Sequence, residues 1–392
     1  MSDAVPTVVV VGAGFAGLRA VRALARRPLR VVLLDRQNHH LFQPLLYQVA
    51  TAGLEPEQIA KPVRAILRGQ RNLEFRMVEV TGVDLAERRV LTDAGPIVYE
   101  ALILAPGAET DDFGLPGVRE HAFELKQAAH GVALRNQILR CFERAVLGSD
   151  PAQRQALLTL AVVGGGPTGV EMAGALAELT RLVLAKDHPG LPVGQVRVVL
   201  LEAAERLLIG MPPRLSAVAA ETLRAKGVEV RLGVAVEGYD GETVRLRGGE
   251  RLAARTLVWA AGARAAGLAS RLGLPQGRQG RVPVEATLQV TGHPEVYLIG
   301  DAAYREEGGQ PLPMMAPVAL QMADCAADNL LRGLQFTGFP AWVVWLVVHL
   351  VQLIGFRNRL FVLINWAVDY FFYDRAVRVI IDEAPRRPAT GG

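Results

Sequence analysis

Cysteine is scarce: Cys141 and Cys325 are the only two in 392 residues. That excludes an iron–sulfur cluster held by four thiolates, a C-x-x-C redox pair and a C-x-x-C-H haem site. It also excludes a disulfide framework, which fits a reducing compartment. A dominant charge is missing as well. Lys and Arg number 43 against 39 Asp and Glu, a net charge of +4. The cations are mostly arginines scattered among acids, so no nucleic-acid surface is implied. No metal site is assigned. Long apolar runs are absent before residue 335, where every such run is too short for a membrane span. Residues 1–6 carry no cationic leader, so the chain is expected to start in the cytoplasm. What is present is a folding composition, 51% apolar and 21% charged, enough in this length for two or three packed domains.

The N-terminal pattern is an apolar run, Thr7 to Val11, a glycine turn, a helical stretch to about Arg26, and a second apolar run ending at Asp35. This is a βαβ unit. A second copy follows about 150 residues later, with Leu160 to Val163, a glycine turn, a helix from Thr168 to about Ala185, and a strand ending at Glu202. Strand-like segments ending at Gly107 and Gly262 are counterparts in the two halves. Residues 281–305 return to strand patterning, with Val296 to Ile299 leading into Gly300-Asp301, and a helix is expected from Pro317 to about Leu334. The expected fold is α/β. Two Rossmann-like dinucleotide-binding domains, the second inserted in the first, are followed by a hydrophobic helical segment. The boundaries are 1–120 with 281–335, then 121–280, then 336–392.

The first turn reads Gly12-x-Gly14-x-x-Gly17. Its glycines serve a tight turn, backbone approach to a pyrophosphate, and close helix–strand packing. Phosphate oxygens suit the helix N-terminus, where free N–H groups and the dipole favour anions. Asp35 ends the next strand, where a carboxylate meets ribose hydroxyls. The second turn, Gly164-x-Gly166-x-x-Gly169, is followed by Glu202 at a longer spacing than usual. Glu202 would accept from a 2′-OH and repel a 2′-phosphate, favouring NADH over NADPH. One such triplet is a weak signal in a chain with 40 glycines; two, each between strand and helix, are a strong one. Asp301 suits the ribityl chain of a flavin, against a plain strand-end turn as the competing reading.

These features resemble the two-dinucleotide-binding-domain flavoproteins. More narrowly, His40-Leu41-Phe42-Gln43-Pro44-Leu45-Leu46-Tyr47-Gln48-Val49-Ala50 is similar to the type II NADH:quinone oxidoreductases. So are Gly164 to Glu171 and Trp259-Ala260-Ala261-Gly262, with a C-terminal counterpart in Ala341-Trp342 and Gly355 to Arg359. The resemblance implies FAD on the first domain and NADH on the second, two-electron reduction of a membrane quinone, and no proton pumping. It implies Gly12, Gly14, Gly17, Asp35, Gly107, Gly300, Asp301 and Ala316 for FAD, and Gly164, Gly166, Gly169, Glu202 and Gly262 for NADH. Glu171 and Gln321 are the implied catalytic residues. An ordinary exposed helix acid is the competing reading of Glu171. Three departures stand out. Pro106 replaces the family's Thr before Gly107, and the acceptor-side motif from Ala316 keeps only Gln321. The stretch between Leu334 and Gly338 is shortened, a departure from the family pattern that bears on the quinone site more than on the flavin site.

Eleven of the 23 aromatic residues fall between Phe336 and Tyr373. The uncharged run there is shorter than the roughly 20 residues of a span. The expected role is interfacial: Trp and Tyr at headgroup level and a lipid-surface partner, on the cytoplasmic face of the inner membrane. The competing reading is a buried core helix or a homodimer interface. Two other functions compete with the main one: a sulfide:quinone reductase, which needs a flavin-side cysteine pair, and a non-catalytic nucleotide-responsive protein with a degenerate acceptor site.

Overall fold

The computed structural model describes residues 5–191 and 193–332. The proposed membrane segment at 336–392 lies outside them. The described chain forms two compact units. One comprises residues 5–41, 60–109 and 263–332; the other comprises 42–59 and 110–262.

The first unit is built on a six-stranded sheet. In spatial order its strands are Gln289–Val290, His293–Leu298, Ala101–Leu104, Thr7–Val11, Arg30–Asp35 and Leu73–Met77. All neighbours run parallel except the Gln289–Val290 edge. The β-branched run Val8–Val11 sits at the centre and is buried on both faces, which parallel packing requires. Each such side chain contributes about 1.5–3 kcal/mol through burial. Val8 pairs with Ala101 and Val31, so the Gly12 turn emerges at the carboxyl end of the sheet. The Phe15–Ala23 helix packs against the Ala316–Arg332 helix. Arg19 joins them by a bidentate ion pair with Asp324, Nε donating to Oδ1 at 2.7 Å and Nη2 to Oδ2 at 2.9 Å. Both side chains are about half exposed, so this pair is worth at most about 1 kcal/mol.

The second unit repeats the plan with a four-stranded parallel sheet: Val228–Leu232, Arg197–Glu202, Thr159–Val163 and Thr256–Trp259. A three-stranded antiparallel sheet (Val236–Tyr239, Thr243–Leu246, Arg251–Ala253) adjoins it. The helical stretch after the second glycine turn has the length the sequence suggests but is not uniform. Pro167–Glu178 is α-helical, Leu179–Leu184 is a π-helical turn, where Thr180 Oγ1 donates to Leu176 O at 2.9 Å, and Ala185–Asp187 closes it. A 20-residue helix, Ala128–Leu147, carries the short Leu46–Ala50 helix on its surface. Gly131 makes that approach possible, because a Cβ there would lie 2.9 Å from Leu46 Cδ1. Among the described residues no helix is long and apolar enough to cross a membrane.

Candidate active site

The two glycine turns are built alike. Gly12 and Gly164 have φ of +98° and +110°, the left-handed region glycine tolerates. A Cβ on Gly17 would overlap the Gly12 carbonyl oxygen, and one on Gly169 would overlap that of Gly164. These two glycines therefore serve close packing of helix on strand. Gly14 and Gly166 differ: a Cβ on either meets nothing within 4 Å. They face open space, and each is the N-cap of its helix with no side-chain cap. In the first unit the uncapped end leaves helix N–H groups available for a phosphate. A dinucleotide pyrophosphate fits such a cradle, and the second turn has the same opening.

The strand-end acids are bonded to backbone amides of the turns themselves. Asp35 Oδ2 accepts the N–H of Ala13 at 2.6 Å, and Oδ1 accepts that of Gln37 at 2.7 Å. Glu202 Oε2 accepts the N–H of Gly165, and Oε1 accepts that of Ala204 at 2.8 Å. Ala13 and Gly165 are the middle residues of the two triplets. Each acid thus grips its own turn. Burial raises the pKa of Asp35, opposed by its backbone bonds to Ala13 and Gln37.

Gly300, at φ +72°, packs between the helix that follows the first turn and the Ala316–Arg332 helix. A Cβ there would stand 3.3 Å from Ala16 Cβ and 3.8 Å from Ala319 Cβ. Asp301 is half-buried. Gly107 (φ +73°) follows the Ala101–Leu104 strand, and its carbonyl takes the N–H of Ala266 at 3.0 Å. Ala316 starts the Ala316–Arg332 helix. The face of that helix bearing Ala319, Met322, Ala323, Ala326 and Ala327 enters the core, while Gln321 is exposed.

In the second unit Gly262 (φ +74°) lies where a Cβ would stand 2.6 Å from Phe113 Cζ, and Trp259 Nε1 donates to Asp111 O at 2.9 Å. Glu171 lies on the Pro167–Glu178 helix, half-buried. Burial pushes its pKa up to about 7. The reason is desolvation of the charged form, with no cation among the described residues to offset it. The Phe42–Gln48 stretch belongs to this unit, where the Leu46–Ala50 helix also packs on the Pro167–Glu178 helix. Gln43 Nε2 donates to Leu125 O at 3.1 Å. Both cysteines are free; Cys141 is buried, and burial raises its pKa.

Two parallel-sheet units, each ending a central strand in an uncapped glycine turn, define a two-dinucleotide oxidoreductase. The chain matches the family model described as pyridine nucleotide-disulphide oxidoreductase over residues 6–323. It is 36% identical to the type II NADH:quinone oxidoreductase Ndh of Mycobacterium tuberculosis, over 96% of this chain and 90% of that one. It is 27% identical to the internal alternative NAD(P)H-ubiquinone oxidoreductase A1 of Solanum tuberosum, over 95% and 88%. The solved structure of NDH2 from Plasmodium falciparum in complex with NADH superposes with a TM-score of 0.85, covering 96% of this chain and all of that one at 18% identity. The chain belongs to the pyridine nucleotide-disulphide oxidoreductase family, among its type II NADH:quinone oxidoreductases.

Proposed function

We infer that the protein oxidises NADH through FAD and passes two electrons to a membrane quinone, without pumping protons. The observation that carries this is the pair of matching turns, one per unit, each open at Gly14 or Gly166. Gly12, Gly14 and Gly17 shape the FAD cradle, with Asp35 fixing it and Asp301 beside it. Gly107, Gly300 and Ala316 bring backbone close to the same cofactor. Gly164, Gly166, Gly169 and Gly262 do this for NADH, with Glu202 setting the preference for a free 2′-hydroxyl. Bound FAD supplies the chemistry of taking a hydride from NADH and delivering two electrons to the quinone.

The overall balance is NADH, one proton and quinone giving NAD⁺ and quinol. Two protons must reach the quinone oxygens, one of them carried with the hydride equivalent and one drawn from water. Glu171 is the group assigned to hold and give a proton, since a carboxyl near pKa 7 is half protonated at neutral pH. Gln321 is assigned to orient the acceptor by its side-chain amide.

A quinone with a long isoprenoid tail lies in the bilayer, so the enzyme must dock to reach it. The segment at 336–373 is assigned that role, on the cytoplasmic face of the membrane. Homodimerisation through the same aromatic residues is the competing use of that segment.

The test is anaerobic absorbance spectroscopy. NADH should bleach the flavin bands, and a soluble quinone should restore them stoichiometrically. Bleaching without restoration would favour the non-catalytic reading, and bleaching by sulfide alone would favour sulfide:quinone reduction.

A further inference from the structure

We propose that His40 is a positioning residue for FAD, holding the phosphate-binding turn by the Ala13 carbonyl while Asp35 holds the Ala13 N–H. This rests on the first turn being the FAD turn. His40 Nδ1 lies 3.0 Å from the carbonyl oxygen of Ala13. A carbonyl can only accept, so Nδ1 carries the proton and the neutral ring donates. Ala13 is therefore gripped twice: its N–H by Asp35, its C=O by His40.

The grip has a purpose set by the neighbours of Ala13. Gly12 and Gly14 flank it, and glycine leaves both adjoining peptides free to rotate. A rotation would turn the Ala13 carbonyl toward the space a pyrophosphate must enter, where its partial negative charge repels the anion. His40 holds that oxygen aside. The ring is itself well anchored. It is 7% exposed and stands edge-on to Phe15, centroids 5.0 Å apart. Its strand, His39–Leu41, pairs with Ala60–Pro62 through His40 and Lys61. Burial lowers its pKa and keeps the ring neutral, so it donates without placing a charge beside Ala13.

The second turn supplies an internal control. The equivalent residue is Gly165, whose N–H goes to Glu202. Its carbonyl accepts the backbone N–H of Leu208 at 2.7 Å. Both turns thus satisfy the same carbonyl from outside the motif. The second uses a backbone amide, the first a side chain, and only the side chain can be removed by substitution.

The test is the rate of FAD release after dilution of the holoenzyme, followed by the rise in flavin fluorescence. His40→Phe keeps an aromatic edge for Phe15 but has no donor. It should release FAD about fivefold faster, the equivalent of about 1 kcal/mol for one neutral hydrogen bond. His40→Asn places an amide N–H near the Nδ1 position and should return release to within about twofold of wild type. His40→Gln places its amide one methylene further and should resemble His40→Phe, which keeps the test open if the phenylalanine variant does not fold. NADH affinity should be unchanged in all three. Wild-type release from His40→Phe, or equal loss from Asn and Gln, would overturn the clamp. A change in NADH affinity with FAD release untouched would overturn the assignment of the turn itself.

Discussion

The carboxylate of Glu202 accepts the backbone N–H of Gly165, the middle residue of the second glycine triplet. A residue assigned to the nucleotide ribose is thus also part of the turn that receives the nucleotide phosphate. Substituting it disturbs both. Arg206, the cation closest after it in sequence, donates to Met211 O at 2.8 Å, Ser216 Oγ at 2.8 Å and Ile209 O at 2.7 Å. It is committed elsewhere and offers nothing to a 2′-phosphate.

Glu202→Ser is therefore expected to weaken NADH binding without admitting NADPH. Loss of a charge-assisted bond to a backbone N–H is worth about 1.5–3 kcal/mol, roughly 10- to 150-fold in apparent affinity. The half-saturating NADH concentration for flavin bleaching reads this. A gain in NADPH use matching the loss in NADH use would show that the clamp on Gly165 is unimportant.

Glu171 gives a pH prediction in two parts. Its carboxyl rises from an ordinary 4.5 to about 7 in the folded chain. Between those values the folded state holds a proton that the unfolded state has lost. Stability should therefore fall as pH rises through this window. Glu171→Gln should flatten that part of the profile of melting temperature against pH. As a proton source, Glu171 should also support quinone reduction below about pH 7 and progressively less above it. A variant with the wild-type pH–rate profile would remove Glu171 from the proton path.

The glycines separate into packing and binding positions. Gly17→Ala forces a methyl into the Gly12 carbonyl and should cost about 1–3 kcal/mol or more, visible as a lowered melting temperature. Gly14→Ala meets open space with φ at −72°, so the fold should keep its melting temperature. FAD affinity should fall by at least about tenfold, about 1.4 kcal/mol, because the methyl occupies the pyrophosphate approach. Retention of FAD through gel filtration, set beside the melting curve, checks both.

Truncation after Leu334 tests the docking segment. The shortened protein should leave the membrane fraction, keep NADH-dependent bleaching of its flavin, and lose reduction of quinone in vesicles. Wild-type binding should weaken only partly with salt, since screening acts on arginines and not on buried aromatics. A full-length protein that ignores liposomes would move the aromatic cluster to a subunit interface.

Local pattern was enough for much of this molecule. Val8–Val11 and Leu160–Val163 reveal themselves as central strands because a strand buried on both faces must be apolar throughout. The glycine triplets are legible because only glycine meets their steric demands, and their repetition implies two nucleotide sites. The long Ala128–Leu147 helix and the clamp at Ala13 were not legible.

What the sequence by itself determined is residue chemistry and chain-local spacing: two turns, two strand-end acids, Glu171 one helical turn past a phosphate loop. The tertiary structure decided which of those groups touch. His40 reaches Ala13 across 27 positions of chain, and no periodicity encodes that meeting. Asp35 and Glu202 turn inward to backbone amides because the sheet sets each strand end beside its own turn. The carboxyl of Glu171 departs from ordinary behaviour through desolvation, which exists only once other elements have packed around it.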